Sequence, residues 1–216
     1  MPEAIADPRW PFLRLPEDAP CACVYGCSPR KGGNSDFASF LIEGELAALG
    51  VDCKGTLLRE HRIDFCIGCQ ACANPGKLGK LCVFSGKDDV EKLFGPLLGS
   101  EKLFFTAPIY FYHLPAQFKG WIDRCQSYWN LRRQGSSLLE GLPRRKAHVV
   151  LICAREKGDK IFQGSLLSLR LFLEPFNIEL AEPLLLRGLD EPGDLASKRE
   201  IQEEVIAYVR GTCGDA

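Results

Sequence analysis

The segment Ser28-Pro29-Arg30-Lys31-Gly32-Gly33-Asn34-Ser35 constrains this chain more than any other. It follows an apolar, β-prone run, Cys21-Ala22-Cys23-Val24-Tyr25, and precedes a helical pattern that begins near Asp36. A loop that leaves a strand and enters a helix presents free backbone N–H groups beside the positive end of the helix dipole, which suits an anion. Gly32 and Gly33 accept positive φ and carry no side chain, so the backbone can curl around such a ligand. Ser28, Asn34 and Ser35 add hydrogen-bonding side chains, and Arg30 or Lys31 adds charge. The loop is expected to hold one terminal phosphate. The competing reading is an ordinary strand-to-helix turn with an Asn or Ser cap.

The kind of phosphate narrows by exclusion. Lys31 precedes the glycine pair, whereas a G-x-x-x-x-G-K-[ST] loop places its lysine after the glycines. Gly26, Gly32 and Gly33 do not have the G-x-G-x-x-G spacing of a dinucleotide fingerprint. A Ser/Asn/Gly loop after the first strand fits a mononucleotide such as FMN in an open α/β sheet.

The rest of the chain reads as such a sheet. Prolines at 2, 8, 11, 16 and 20 make residues 1–20 an extended arm. Its Trp10, Phe12, Leu13 and Leu15 should lie on the arm's own domain or on a neighbouring subunit, the former being the simpler. Residues 21–216 then form a single domain with a cysteine-rich loop insertion at 61–87. Strands are expected at 21–25, 51–58, 102–107, 147–154 and 178–186, the last broken toward an edge by Pro183. Helical spacing appears in Phe37, Phe40, Leu41 and Ala48; in Val90, Leu93, Phe94 and Leu97 behind an Asp88-Asp89 cap; and in Phe118, Trp121, Ile122 and Cys125. It recurs over 166–172 and in Ile201, Val205 and Tyr208, and the basic stretch 131–146 reads as an exposed connection. Strands alternating with helices imply a doubly wound five-stranded parallel sheet of order 2-1-3-4-5, with helices on both faces. Ligands of such sheets bind beyond the carboxyl ends of the strands, which selects the loops 27–35, 107–115 and 153–164.

Lys plus Arg (27) nearly balances Asp plus Glu (28), so no net field draws nucleic acid or an anionic membrane. No apolar run is long enough to span a bilayer, and the start of the chain lacks a signal-peptide pattern. A cytoplasmic location is expected, in which the 11 cysteines are thiols or ligands more readily than disulfides.

At the end of the third strand, Pro108 and Pro115 frame Ile109, Tyr110, Phe111, Tyr112 and His113. Aromatic faces and exposed backbone groups suit a planar, hydrogen-bonding ring, although core or dimer-interface aromatics have the same composition. Arg155 and Gly158 mark the third loop, where an arginine could face the N1–C2=O edge of a flavin.

Two motifs together resemble the NAD(P)H-dependent FMN reductase and iron–sulfur flavoprotein superfamily. One is Ser28-Pro29-Arg30-x-Gly32-Gly33-Asn34-Ser35; the other is Pro108-x-Tyr110, then Lys119, then Asp123-Arg124. The resemblance covers roughly residues 21–186 and implies a flavodoxin-like fold, FMN as cofactor and NAD(P)H as electron donor. It also implies that residues 108–112 line the flavin ring. One departure is Cys27, which stands where relatives usually have glycine before Ser-Pro-Arg.

Cys66-x2-Cys69-x2-Cys72-x9-Cys82 offers four sulfur ligands, as a cuboidal cluster requires, and Gly68 permits tight winding. The resembling flavoproteins carry a compact cysteine motif at this place, which supports a [4Fe-4S] assignment with Cys82 as the fourth ligand. A four-cysteine zinc site and a metal-free set of thiols are the alternatives. Cys21, Cys23, Cys53, Cys125 and Cys153 read as small core residues. An FMN-dependent oxidoreductase is therefore expected, passing electrons to a quinone-like, oxygen-derived or protein acceptor. The alternatives are an electron carrier or sensor without NAD(P)H activity, or a cluster-free reductase. The apolar arm and aromatic loop suggest a homodimer or homotetramer, and a ferredoxin-like redox protein is the expected partner class.

Overall fold

The computed structural model describes residues 5–213; residues 1–4 of the expected arm and the Cys213 side chain lie outside the described residues. In chain order the elements are β1 (Ala22–Gly26), α1 (Asn34–Ala48), β2 (Cys53–Leu57), α2 (Pro75–Leu78), α3 (Val90–Gly99), β3 (Lys102–Pro108), α4 (Ala116–Arg124) and α5 (Gln126–Arg133). There follow α6 (Ser137–Glu140), β4 (Arg145–Ile152), α7 (Gln163–Leu173), β5 (Ile178–Leu180), β6 (Leu184–Leu186), α8 (Asp194–Ser197) and α9 (Arg199–Cys213).

The strands form one parallel sheet of order β2-β1-β3-β4-β5, with β6 also paired to β4. This is the expected order 2-1-3-4-5, its fifth strand split in two. Pro183 sits in the split and has no N–H to donate. Tyr208 patches the gap: its hydroxyl accepts from Val149 N–H (3.2 Å) and donates to Glu182 O (2.9 Å).

Both faces of the sheet are covered, so alternate residues enter two separate cores. Cys23, Tyr25, Leu103, Phe105, Val149 and Leu151 pack against α3, α4 and α7, while Val24, Phe104, Val150 and Ile152 pack against α1 and α9. In the first core the Tyr25 ring stacks on Phe105 at 4.9 Å and its hydroxyl donates to Leu93 O at 2.8 Å. Among the described residues no helix is long and apolar enough to cross a membrane.

The arm packs on its own chain, with Trp10 and Leu13 buried in the first core. It covers 131–146, and here the structure departs from expectation. That stretch is not an exposed connection: α5 runs to Arg133, and Leu131, Leu138, Leu139 and Leu142 are buried. The basic residues that dominate its composition concealed this leucine spacing. Asp7 is the clasp. Its buried carboxylate accepts from Ser136 Oγ (2.6 Å), Leu138 N (3.2 Å), Trp10 N (3.0 Å) and Arg9 N (2.9 Å).

Burial raises the Asp7 pKa, but these four hydrogen bonds outweigh it and leave the carboxyl below its ordinary 3.8. A depressed folded-state pKa gives stability that is complete above the unfolded value and is lost as pH falls through the folded one. Asp7→Asn should therefore cost about 1–3 kcal/mol at neutral pH and lessen the loss of stability on acidification below about pH 4, read by urea unfolding. Equal acid sensitivity in the two proteins would remove the clasp from the account.

Candidate functional site

The glycine loop is shaped from below. Gly26 ends β1 where an added Cβ would stand 2.6 Å from Leu57 Cδ2, so a larger residue would have to displace the Leu57 side chain. Cys27 continues the ladder, its N–H donating to Thr106 O at 2.8 Å. Its thiol is buried in the first core and donates to Tyr25 O at 3.5 Å, and burial pushes its pKa well above the usual thiol range. The departure from the glycine of relatives therefore adds a core residue and places no thiol in the loop.

Ser28 Oγ accepts from Arg30 N at 3.1 Å and closes a tight turn. Gly32 has φ +70°, and its N–H donates to Asp36 Oδ2 at 2.8 Å. The other oxygen of Asp36 pairs with Arg59 Nη1 at 2.8 Å, and the same nitrogen donates to Ser28 O at 3.3 Å. Gly33, extended and without a side-chain cap, precedes α1, and Asp36 is the acidic residue of its first turn, its charge paired with Arg59.

A cavity of about 150 Å³ opens over this helix end. Ser28, Arg30, Gly33, Asn34 and Ser35 line one side, and Pro108, Ile109 and Tyr110 from the end of β3 line another. Ile152 at the end of β4, Ala154 beyond it, and Leu189 and Asp190 after β6 complete it. Eight of the twelve residues expected around a flavin thus share one concavity. The Asn34 side chain, part of this lining, donates to Glu191 O (3.1 Å) and accepts from Leu195 N (3.0 Å). Arg30 Nη1 reaches Asp190 O at 3.3 Å. The segment 188–195 is a fourth wall that the sequence reading missed. The rule that chose the other loops would have found it, because it follows the carboxyl end of the fifth strand.

Phe111, Tyr112, Arg155 and Gly158 lie outside that lining. Phe111 (φ 50°) and Tyr112 (φ 64°) are consecutive aromatics in left-handed backbone, a conformation costing roughly 1–2 kcal/mol per residue. Phe111 is fully exposed. A bridge between Tyr110 and His113 closes this tip, and His113 holds it down. His113 Nδ1 accepts from Leu114 N (2.9 Å), which leaves Nε2–H to donate to Ser168 Oγ (3.0 Å). Burial, then Lys119, lowers the His113 pKa, so the neutral ring that makes both bonds is favoured. Gly164 lets α7 approach, since an added Cβ would lie 3.1 Å from Tyr112 O. Arg155 donates to the Tyr112 hydroxyl (3.2 Å), and Gly158 O accepts from Arg187 (3.0 Å).

The cysteine loop is pinned at its two ends. Asp64 N donates to Asp88 Oδ2 (3.1 Å), and Asp89 N to Arg62 O (2.9 Å). Arg124 from α4 lies between them: it donates to Asp64 O (2.6 Å), pairs with Asp88, and faces the Phe84 ring at 5.1 Å. Both charged side chains are 1% exposed. Cys66 and Cys69 are exposed, and Cys72 and Cys82 half-buried. Gly68 and Gln70, both at positive φ, turn the chain back on itself. Cys66 and Cys72 line a cavity of about 510 Å³ together with Asn130 of α5.

An all-sulfur donor set matches an iron–sulfur group in ligand chemistry, but only two of the four cysteines line this cavity. Among the described residues no three metal-ligating side chains converge on one point. The arrangement as it stands does not form a cluster site.

A buried charge that loses its partner is costly. Arg124→Met should destabilise the fold by about 3–5 kcal/mol, and adding Asp88→Asn should restore part of that loss. Urea unfolding of the three variants gives the cycle; no recovery in the double variant would mean that the pair is not the interaction lost.

With this fold and site in view, the family can be stated. The chain belongs to the flavodoxin-like fold family, whose profile matches residues 84–210. It is similar to the iron-sulfur flavoprotein of Archaeoglobus fulgidus, with 30% identity over 101 residues, 47% of this chain and 43% of that one. The match thus spans less than half the length of that relative. Among solved structures, an NAD(P)H:quinone oxidoreductase from Methanothermobacter marburgensis superposes with a TM-score of 0.60 at 16% identity, covering 90% of this chain and 98% of its own. An FMN-dependent NADH-azoreductase from Bacillus anthracis, in complex with FMN, gives 0.60 at 12% identity, covering 88% and 98%. At these identities the likeness is one of fold.

Proposed function

We propose that this protein is an FMN-dependent oxidoreductase of the iron–sulfur flavoprotein type. One observation carries the reading: at the switch point between β1 and β3, the uncapped start of α1, Ser28 and Arg30 share a concavity with the loop after β3. That is where an open parallel sheet binds a mononucleotide. The two structural neighbours described as NAD(P)H and FMN-dependent enzymes, and the flavoprotein relative, support it.

Ser28 Oγ, the Arg30 guanidinium and the N–H groups at the start of α1 would hold the phosphate. Asn34 would serve by tying the 188–195 segment to the helix end. The backbone of Pro108, Ile109 and Tyr110 would face the ring, with Phe111 and Tyr112 at its outer edge and Arg155 and Gly158 beyond. Bound FMN supplies the hydride and single-electron chemistry, and the chain supplies position and electrostatics. NAD(P)H is the proposed donor, and a quinone-like, oxygen-derived or protein acceptor, a ferredoxin-like protein included, receives the electrons. Cys66, Cys69, Cys72 and Cys82 are the proposed ligands of a [4Fe-4S] cluster. A cytoplasmic setting fits exposed thiols such as Cys66 and Cys69. The apolar side chains exposed at Phe65, Ile67, Phe111, Leu167 and Leu171 support a homodimer or homotetramer.

A charge-assisted hydrogen bond contributes about 1.5–3 kcal/mol, so Arg30→Ala should weaken FMN roughly ten- to a hundredfold and riboflavin much less. Equal losses for both ligands, by fluorescence titration, would exclude a phosphate role for Arg30. Cys72→Ala should lose iron and sulfide from anaerobically prepared protein yet keep FMN; zinc or no metal in the parent protein would defeat the cluster assignment. Light scattering of the flavin-loaded protein should give a multiple of the chain mass, and a monomeric mass would end the oligomer proposal.

A further inference from the structure

We infer that Arg59, which comes from a part of the chain outside the glycine loop, is a positioning residue for the flavin phosphate. It neutralises Asp36 in the first turn of α1 and holds the turn that begins at Ser28. Arg59 Nη1 lies 2.8 Å from Asp36 Oδ1 and donates to Ser28 O at 3.3 Å. This rests on the FMN reading above and adds to it a residue that does not line the concavity.

The sheet register puts Arg59 there. β1 and β2 run parallel with Gly26 opposite Leu57, so the residues two beyond the strand ends, Ser28 and Arg59, leave the sheet side by side. The backbone that carries Arg59, the 3₁₀ turn Leu58–Glu60, is fixed on both sides. Leu58 is buried in the first core, and Gln117 Nε2 of α4 donates to Leu58 O (2.8 Å) and His61 O (3.2 Å). Arg59 is therefore braced from outside the glycine loop that it holds.

Charge supplies the reason for the pair. Asp36 helps to shape the loop, since its Oδ2 accepts from Gly32 N at 2.8 Å. A carboxylate at the positive end of a helix, however, competes with a phosphate for the same field. The Asp36 and Arg59 side chains are each only 16% exposed, so salt screens the carboxylate less than it would on an open surface. Paired with Arg59, Asp36 keeps its hydrogen bond to Gly32 while its charge is cancelled. The loop has an acidic brace without an acidic field. Riboflavin lacks the phosphate and should be nearly indifferent to the pair.

The test measures FMN and riboflavin binding to the flavin-free full chain by fluorescence titration. The proteins are wild type, Arg59→Met, Asp36→Asn and the double variant, each also melted without flavin. Arg59→Met leaves Asp36 unpaired and should weaken FMN about tenfold, the size of one charge-assisted interaction, with riboflavin changed much less. Adding Asp36→Asn should recover part of that loss, because the asparagine oxygen still accepts from Gly32 while the repelling charge is gone. Asp36→Asn alone should tighten FMN, since the charge of Arg59 is then unopposed. If Arg59→Met melts without a cooperative transition, Asp36→Asn decides alone: tighter FMN supports the inference, and unchanged or weaker FMN overturns it. In a folded Arg59→Met, wild-type FMN affinity, equal losses for the two flavins, or no recovery in the double variant overturns the inference and leaves the FMN reading standing. A wild type that binds no FMN overturns that reading, and this inference with it.

Discussion

Every paired strand in this sheet runs in the same direction, and the chemistry of the molecule depends on that constraint. Parallel strands need crossovers, the crossovers cover both faces, and all carboxyl ends then open on one edge. The loops after β1, β3, β4 and β6 meet there, the first of them held by the Asp36–Arg59 pair. What they enclose follows from chain order: β1 has β2 on one side and β3 on the other, so its outgoing helix leaves a crevice at the point of reversal.

The same geometry joins the flavin-type concavity to the cysteine loop. The loop after β3 leads directly into α4, and α4 carries Arg124, which ties Asp64 to Asp88. One helix pair therefore touches the aromatic tip at its start and a half-buried cysteine near its end. The buried Arg124–Asp88 pair stabilises the fold less than its Coulomb attraction suggests, because both charges are desolvated. Its main effect is to fix where the loop begins and ends. The strain at Phe111 and Tyr112 has a similar local cause, with His113, Ser168 and Gly164 supplying the compensating contacts.

Much of this was legible in the sequence. Alternation of apolar runs with helical spacing gave the strand order, because parallel topology leaves few choices. The glycine loop was legible because its residue types answer a local steric need. Other features were not, for physical reasons. The Asp7 clasp and the burial of Leu138 and Leu139 depend on contacts more than a hundred residues apart in the chain. The hydrogen bonds of Asn34 to Glu191 and Leu195 were hidden because they are equally long-range. Cys27 looked like a loop thiol, yet the ladder extends one residue past Gly26 and carries its side chain into the core. The segment 188–195 was hidden behind a fifth strand that Pro183 cuts into two short pieces.

Hydrogen exchange of the full chain with and without FMN tests the central claim most directly, because the concavity is built from backbone segments far apart in sequence. The account predicts slowed exchange together in residues 28–36, 108–112 and 188–195, with the cysteine loop and α9 unchanged. Protection that spares residues 28–36, or that spreads evenly over the chain, would contradict it.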